Sequence, residues 1–208
     1  MKYRTILLFG APGSGKGTQG RILGAVPDYF YFACGDAFRN LRIDDPIGRI
    51  FIEYSSKGLL VPDETTISLW SRNIQASTVQ GVFNPTRDTL VLDGIPRNAK
   101  QAEMLKDVLD VKGLLHLACL DEKKMIERLQ RRALRENRLD DANLDVIKKR
   151  DGTIFIDDED EFAEHQVKYG YPADVIETAR ATCDWLVTAV ADEEPFLTVY
   201  KTYLDKVR

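Results

Sequence analysis

The stretch TILLFGAPGSGKGTQ, residues 5–19, decides how the rest of the chain is read. A short apolar run, TILLF, enters a glycine-rich loop, and a helix is expected from Lys16. Gly10 to Gly15 and Lys16 fit the phosphate-loop pattern G-x-x-x-x-G-K-[ST] up to its last position. There Gly17 intervenes, and the hydroxyl comes one residue later, at Thr18. Glycines let successive backbone N–H groups turn toward one anion, and the following helix N-terminus adds positive partial charge. Lys16 is placed to reach the outer phosphates as a point charge. A glycine-rich turn that merely contains a lysine is the bland alternative, and the position directly after the first strand argues against it. A G-x-G-x-x-G dinucleotide turn fits less well. From Gly13 and Gly15 its third glycine would fall on Thr18, and that turn has no use for Lys16.

Outward from this loop, five apolar runs stand out: TILLF (5–9), YFYFA (29–33), TLVLD (89–93), GLLHLACL (113–120) and WLVTAV (185–190). They are continuous rather than alternating, which suits strands buried on both faces of a parallel sheet. Helical spacing separates them. Ile67, Trp70 and Ile74 recur after Pro62, and Ala102, Leu105 and Leu109 recur after Asn98. Pro62 suits a first helical turn, and Asp63 and Glu64 favour the positive end of the helix dipole. Strands alternating with helices predict an α/β fold, a parallel five-stranded sheet flanked by helices in the P-loop NTPase manner. The intervals 34–88 and 121–184 exceed a minimal crossover and read as helical insertions covering the site.

The bulk numbers agree with one sizeable core: 208 residues, 44% hydrophobic. With 29 basic and 33 acidic residues the net charge is −4, which argues against a general nucleic-acid binder. No apolar stretch approaches the roughly 20 residues that span a bilayer. TILLF enters a glycine loop rather than a cleavage-like site, so the start reads as the first strand of a cytoplasmic protein. Cys34, Cys119 and Cys183 form no C-x-x-C pair, which suits reduced thiols rather than a metal or disulfide framework. His116, inside GLLHLACL, reads as a paired core residue, and His165 is isolated.

A second half of the site lies in LVLDGIPR, residues 90–97. Asp93 falls at the carboxyl end of a buried strand, where open α/β sheets bind ligands. A carboxylate there holds Mg²⁺ through waters, because Mg²⁺ dehydrates reluctantly; the alternative is a turn residue before Gly94. Pro96 stiffens the turn that carries Arg97, whose fork suits bidentate phosphate recognition. A third piece is the arginine-rich segment RLQRRALRENRLDD, 128–141, which sets Arg128, Arg131, Arg132 and Arg135 on one helical face. A solvated face accounts for Arg131 and Arg135. A polyanion suits the others, since few acidic residues stand at i±4.

These pieces together resemble the adenylate kinase family of nucleoside monophosphate kinases. The carriers are GAPGSGKGTQ, CGDAFR (34–39), KGLLVPDE (57–64), LDGIPRNAKQA (91–102) and the arginine segment, in the family's order and covering residues 5 to about 150. A lone phosphate loop is widespread, whereas its combination with Asp-Gly-x-Pro-Arg is narrow. The family reads G-K-G-T, which accounts for Gly17 before Thr18. The resemblance implies that Gly13, Ser14, Gly15, Lys16, Gly17 and Thr18 cradle ATP phosphates. Cys34, Arg39, Leu59, Leu60, Val61, Gly94, Ile95, Pro96, Arg97 and Gln101 would hold an AMP-like acceptor. Thr18 and Asp93 would orient hydrated Mg²⁺. Arg128 would lie against the ATP base, as would the loop at Glu194. Arg132, Arg138 and Arg150 would contact phosphates beside Lys16 and Arg97, with Arg138 and Arg150 also on the acceptor side. Asp140 and Asp141 fit an acidic pair that orders a closed lid. Residues 1–33, 62–127 and 151–208 would form the core, 34–61 the acceptor-binding insertion and 128–150 a lid of the short form, without cysteines for zinc.

The implied reaction is in-line transfer from Mg·ATP to an already anionic phosphate, so no general base is required. ATP and a monophosphate are the expected partners, on a monomer. Several readings stay open. Gln101 also completes a capping box with Asn98, and its amide matches cytosine as well as adenine. Cys34 stands where adenylate kinases usually have threonine and pyrimidine monophosphate kinases often alanine, so AMP competes with CMP or UMP as acceptor. Lys149 competes with Arg150 for the last lid contact. The acidic stretch 151–164 departs from the family pattern. A P-loop switch or binder without transfer activity is the alternative of another class, although no N-K-x-D guanine-reading motif is present.

Overall fold

Tyr3–Gly10 forms the first strand, β1, and Ile6, Leu7, Leu8 and Phe9 are all buried in succession. The computed structural model describes residues 2–10, 12–42, 44–57, 59–97, 99–118, 122–136 and 186–190. After β1 come α1 (Lys16–Leu23), β2 (Tyr29–Ala33), α2 (Cys34–Arg39), α3 (Pro46–Ser56) and α4 (Asp63–Val79). They are followed by β3 (Thr89–Asp93), α5 (Ala99–Leu105), β4 (Leu109–Ala118), α6 (Glu122–Glu136) and β5 (Leu186–Val190). The strands pair in parallel in the order β2-β3-β1-β4-β5.

The unbroken apolar runs follow from helices covering both faces. Side chains alternate across a strand. Leu7 and Phe9 of β1 join Leu90, Leu92 and Leu114 in one core, together with Leu69, Trp70 and Ile74 of α4. Ile6 and Leu8 join Val91, Leu115 and Leu23 of α1 in the other. Burying each such side chain is worth about 1.5–3 kcal/mol, so a polar residue on either face would cost heavily. Tyr3 closes the first core at its lower end, meeting Trp70 edge-on with ring centroids 6.2 Å apart.

The interval 34–88 holds α2, α3 and α4. At the start of α3 the Asp45 carboxylate accepts from the Ile47 N–H at 2.8 Å, with Pro46 opening the helix. Pro62 stands one position outside its predicted place. It is the N-cap of α4, and the first turn begins with Asp63 and Glu64. The spacing that joined Leu105 to Leu109 in one helix is also corrected: α5 ends at Leu105, and Leu109 opens β4. Both leucines are buried in the same core, so a short turn meets the same packing demand as another helical turn. β4 starts earlier than its apolar run because the Asp110–Lys112 ion pair, at 2.9 Å, interrupts the hydrophobic pattern. Lys112 is the extra residue at a register shift opposite Thr5 and Ile6.

Candidate functional site

The parallel register places the two key loops at one edge of the sheet. Leu8 of β1 and Ala33 of β2 both pair with Asp93, the last residue of β3. The loop after β1 therefore rises beside the turn after β3, at the carboxyl ends where such sheets bind ligands. Among the described residues, no helix is long and apolar enough to cross a membrane.

Gly15, at φ 97°, is the N-cap of α1 and offers no side-chain cap. Its carbonyl accepts from the N–H groups of Thr18 and Gln19 at 2.9 and 3.0 Å, joining loop to helix. A Cβ at Gly10 would lie 2.4 Å from the Leu117 carbonyl oxygen and 2.6 Å from Ser14 Oγ, so the loop's entry admits no side chain. Ser14 is buried within the loop, and Gly17 lies on the α1 face toward Tyr31. Thr18 is exposed in the first turn of α1.

Lys16 is half-buried and donates to the Gly10 carbonyl at 2.5 Å. Burial lowers its pKa from 10.5 to about 8, against the pull of the Asp93 carboxylate. The guanidinium groups of Arg97 and Arg132 push the same way as burial. Groups from β3, the turn after it and α6 thus bear together on the lysine of the loop.

Asp93 accepts from the Tyr31 hydroxyl at 2.9 Å through Oδ2. Burial first, and the Asp93 charge second, hold the Tyr31 phenol well above its usual range. Gly94 follows at φ 79°, which suits glycine, and its carbonyl accepts from Arg97 Nε at 2.8 Å. Ile95 and Pro96 are buried beneath this turn, while Arg97 is exposed. Gln101 is buried with its amide engaged at both ends. Oε1 accepts from the Arg97 N–H at 2.8 Å, and Nε2 donates to Asp63 Oδ1 at 2.8 Å. Asn98, the other half of the anticipated capping box, lies outside the described residues.

Cys34 is buried in the core below this edge. Burial raises its thiol pKa to about 11, with Arg97 and Arg39 opposing and Asp93 reinforcing. The thiol stays protonated and unreactive. Arg39 donates to Asp36 Oδ1 at 2.6 Å, and Asp36 also meets Arg21 at 3.5 Å. Leu59 and Leu60 are exposed on the segment before α4, and Val61 packs against the core.

On α6, Leu129 and Ala133 are buried, which turns Arg128 and Arg132 inward and Arg131 outward. Arg128 Nη1 donates to the Gly13 carbonyl at 3.4 Å, and Arg132 bears on Lys16. Arg131 pairs with Glu127 at 3.7 Å in solvent. Arg138, Asp140, Asp141, Lys149, Arg150, Glu194 and the acidic stretch 151–164 lie outside the described residues, as does the side chain of His116. Sequence reading did not single out Tyr31 or Asp63 as site residues. Tyr31 was hidden in an apolar run. Its one signal was the glycine spacing 17, 20, 24 along α1.

The donor set fits a hydrated Mg²⁺ ion. Asp93 and Thr18 supply hard oxygens, too few to cage a cation, and Mg²⁺ keeps several waters while binding one or two carboxylates and phosphates. Among the described residues, no group of three or more His, Cys, Asp or Glu could hold a metal ion directly.

Comparison with known proteins adds a family. A family model described as adenylate kinase matches residues 8–202. The adenylate kinase of Thermoanaerobacter sp. is 38% identical over 138 residues, 64% of this chain and 60% of that relative's length. The adenylate kinase of Cyanothece sp. is 37% identical over 158 residues, 73% of this chain and 76% of its own. That of Parabacteroides distasonis is 33% identical over 151 residues, 70% and 75% of the two lengths.

Proposed function

The chain belongs to the adenylate kinase family, and from that premise we propose that it transfers the γ-phosphoryl group of Mg·ATP to AMP, forming two ADP. The observation that carries this reading is the meeting, at one sheet edge, of the Lys16 loop, the strand-end Asp93, the turn that carries Arg97 and the α6 arginines, with Asp93, Arg97 and Arg132 all bearing on the charge of Lys16. Phosphoryl transfer of this kind needs positioning and charge neutralisation more than covalent chemistry. Lys16 and the loop N–H groups would hold the donor phosphates. Arg97 and Arg39 would hold the acceptor phosphate. Arg128 and Arg132 would close on the donor from α6, with Arg138 and Arg150 completing the phosphate contacts and Glu194 beside the ATP base. The acceptor oxygen is already anionic, so the site needs no general base. Mg²⁺, when bound, supplies charge neutralisation between the phosphates. Asp93 and Thr18 would orient its waters.

The domain reading belongs to the same proposal. Residues 34–61 serve as the acceptor-binding insertion and 128–150 as a short lid. Residues 1–33, 62–127 and 151–208 make a five-stranded P-loop core. We place the protein in the cytoplasm as a monomer. AMP is preferred over CMP or UMP on the names of the relatives, all adenylate kinases. Cys34 bears on that choice, because a buried protonated thiol is only a weak donor toward a base edge. The test is an acceptor panel of AMP, CMP, UMP and GMP with Mg·ATP, with Lys16→Met as the control. AMP turnover that disappears in the control supports the reading. Faster CMP or UMP turnover redirects it to a pyrimidine acceptor, and ATP binding without transfer to any of the four overturns it.

A further inference from the structure

Tyr31 and Asp93 stand on neighbouring strands and on the same face. Ala33 pairs with Asp93 and Tyr31 with Val91, and side chains two residues apart share a face. That face is the one covered by α1, and Tyr31 packs against its core. The ring lies where α1 has no side chains. Gly17, Gly20 and Gly24 recur at spacings of three and four, which puts them on one side of the helix. A Cβ at Gly20 would lie 2.1 Å from Tyr31 Cε2, and one at Gly24 would lie 2.5 Å from Tyr31 Cβ. One at Gly17 would lie 3.7 Å from the hydroxyl. Glycine weakens a helix interior, so α1 gives up intrinsic stability along the line that accommodates this ring. A phenylalanine would fill the same groove. Only the hydroxyl reaches Asp93, at 2.9 Å.

We propose that Tyr31 is a positioning residue for Asp93, holding Oδ2 so that Oδ1 is the oxygen offered to the hydrated metal that accompanies ATP. The inference rests on the nucleotide-binding reading above and names how its carboxylate is set. Asp93 lies in the field of the Lys16 amine, toward which an untethered carboxylate would turn. A direct Asp93–Lys16 pair would remove both groups from the phosphates. The phenol donates to Oδ2 from β2, which lies on the other side of β3 from β1, and would oppose that turn. A charge-assisted hydrogen bond is the strong kind and sets orientation as well as energy.

The experiment measures binding of an ATP analogue with a non-transferable γ-phosphate, with and without Mg²⁺, by calorimetry. In Tyr31→Phe the gain in affinity contributed by Mg²⁺ should fall about tenfold or more, the worth of one hydrogen bond to a charged group. Metal-free affinity should stay within about twofold. Asp93→Ala should lose the Mg²⁺ gain as well, and the double variant should lose no more than Asp93→Ala alone. A second readout needs no nucleotide. In the free protein the two substitutions should lower the unfolding midpoint non-additively, because either one removes the same bond. An undiminished Mg²⁺ gain in Tyr31→Phe overturns the proposal, as does additivity in either cycle. Failure of the parent protein to bind the analogue at all overturns the nucleotide reading instead.

Discussion

Gly20→Ala tests whether the Tyr31 ring is held as tightly as the geometry says. In a helix interior this substitution normally stabilises by about 0.5–1 kcal/mol, since alanine is the better helix former. Here the new Cβ would meet three ring atoms of Tyr31, at 2.1, 2.6 and 2.8 Å. Carbon atoms rest at about 3.5–4 Å, so the ring must move by more than an ångström. Overpacking of this kind costs about 1–3 kcal/mol. The same movement weakens the hydroxyl's bond to Asp93, worth about 1.5 kcal/mol or more because the acceptor is charged. Set against the helix gain, the net expectation is a destabilisation of about 2 kcal/mol. For a chain of this size that lowers the unfolding midpoint by roughly 4–8 °C. In a Tyr31→Ala background the obstruction is gone, and Gly20→Ala should then raise stability by about 0.5–1 kcal/mol. Urea unfolding of the four proteins measures this reversal of sign. A Gly20→Ala protein as stable as its parent, or an equal effect in both backgrounds, refutes the account of the glycine stripe.

Three further outcomes are expected. Arg97→Ala should lower kcat/KM for the acceptor about 10²-fold or more, with the ATP dissociation constant changed less than about threefold; steady-state kinetics beside ATP calorimetry separates the two. Lys16 loses its charge as pH rises through about 8 rather than through 10.5. ATP favours the charged amine, so its affinity should fall above that pH and binding should take up a proton there. Calorimetry in buffers of different ionisation enthalpy measures that proton, and flat affinity from pH 7 to 9.5 counts against the role of Lys16. Gln101→Leu removes partners from the Arg97 N–H and from Asp63 Oδ1 together. It should destabilise by about 2–3 kcal/mol and raise the acceptor KM; a change in KM with no loss of stability would show that the amide serves only the ligand.

The sequence by itself determined the layout of the sheet edge. TILLF read as a strand buried on both faces, and the glycine–lysine loop after it as the entry to a helix, and both are so in the fold. The strand-end carboxylate in TLVLD fell at the ligand edge for the same reason: periodicity and turn chemistry are local, and a parallel sheet carries them to one side. Local patterns failed where a contact crossed the fold. Leu109 shows the helical spacing and yet begins β4, because two leucines can enter one core by either route. Gln101 fitted a local cap, and the structure ties it to Asp63, a residue 38 positions away. Tyr31 read as one more apolar residue in YFYFA. Only the packing of β2 beside β3 brings its hydroxyl to Asp93, 62 positions on. The inward turn of Arg128 and Arg132, and the outward turn of Arg131, were likewise decided by burial of Leu129 and Ala133. Residue type and spacing state which groups a site has. Which of their polar atoms face a ligand, and which are held by a neighbour, depends on strand register and on the space left between helix and sheet, and only the folded chain sets those.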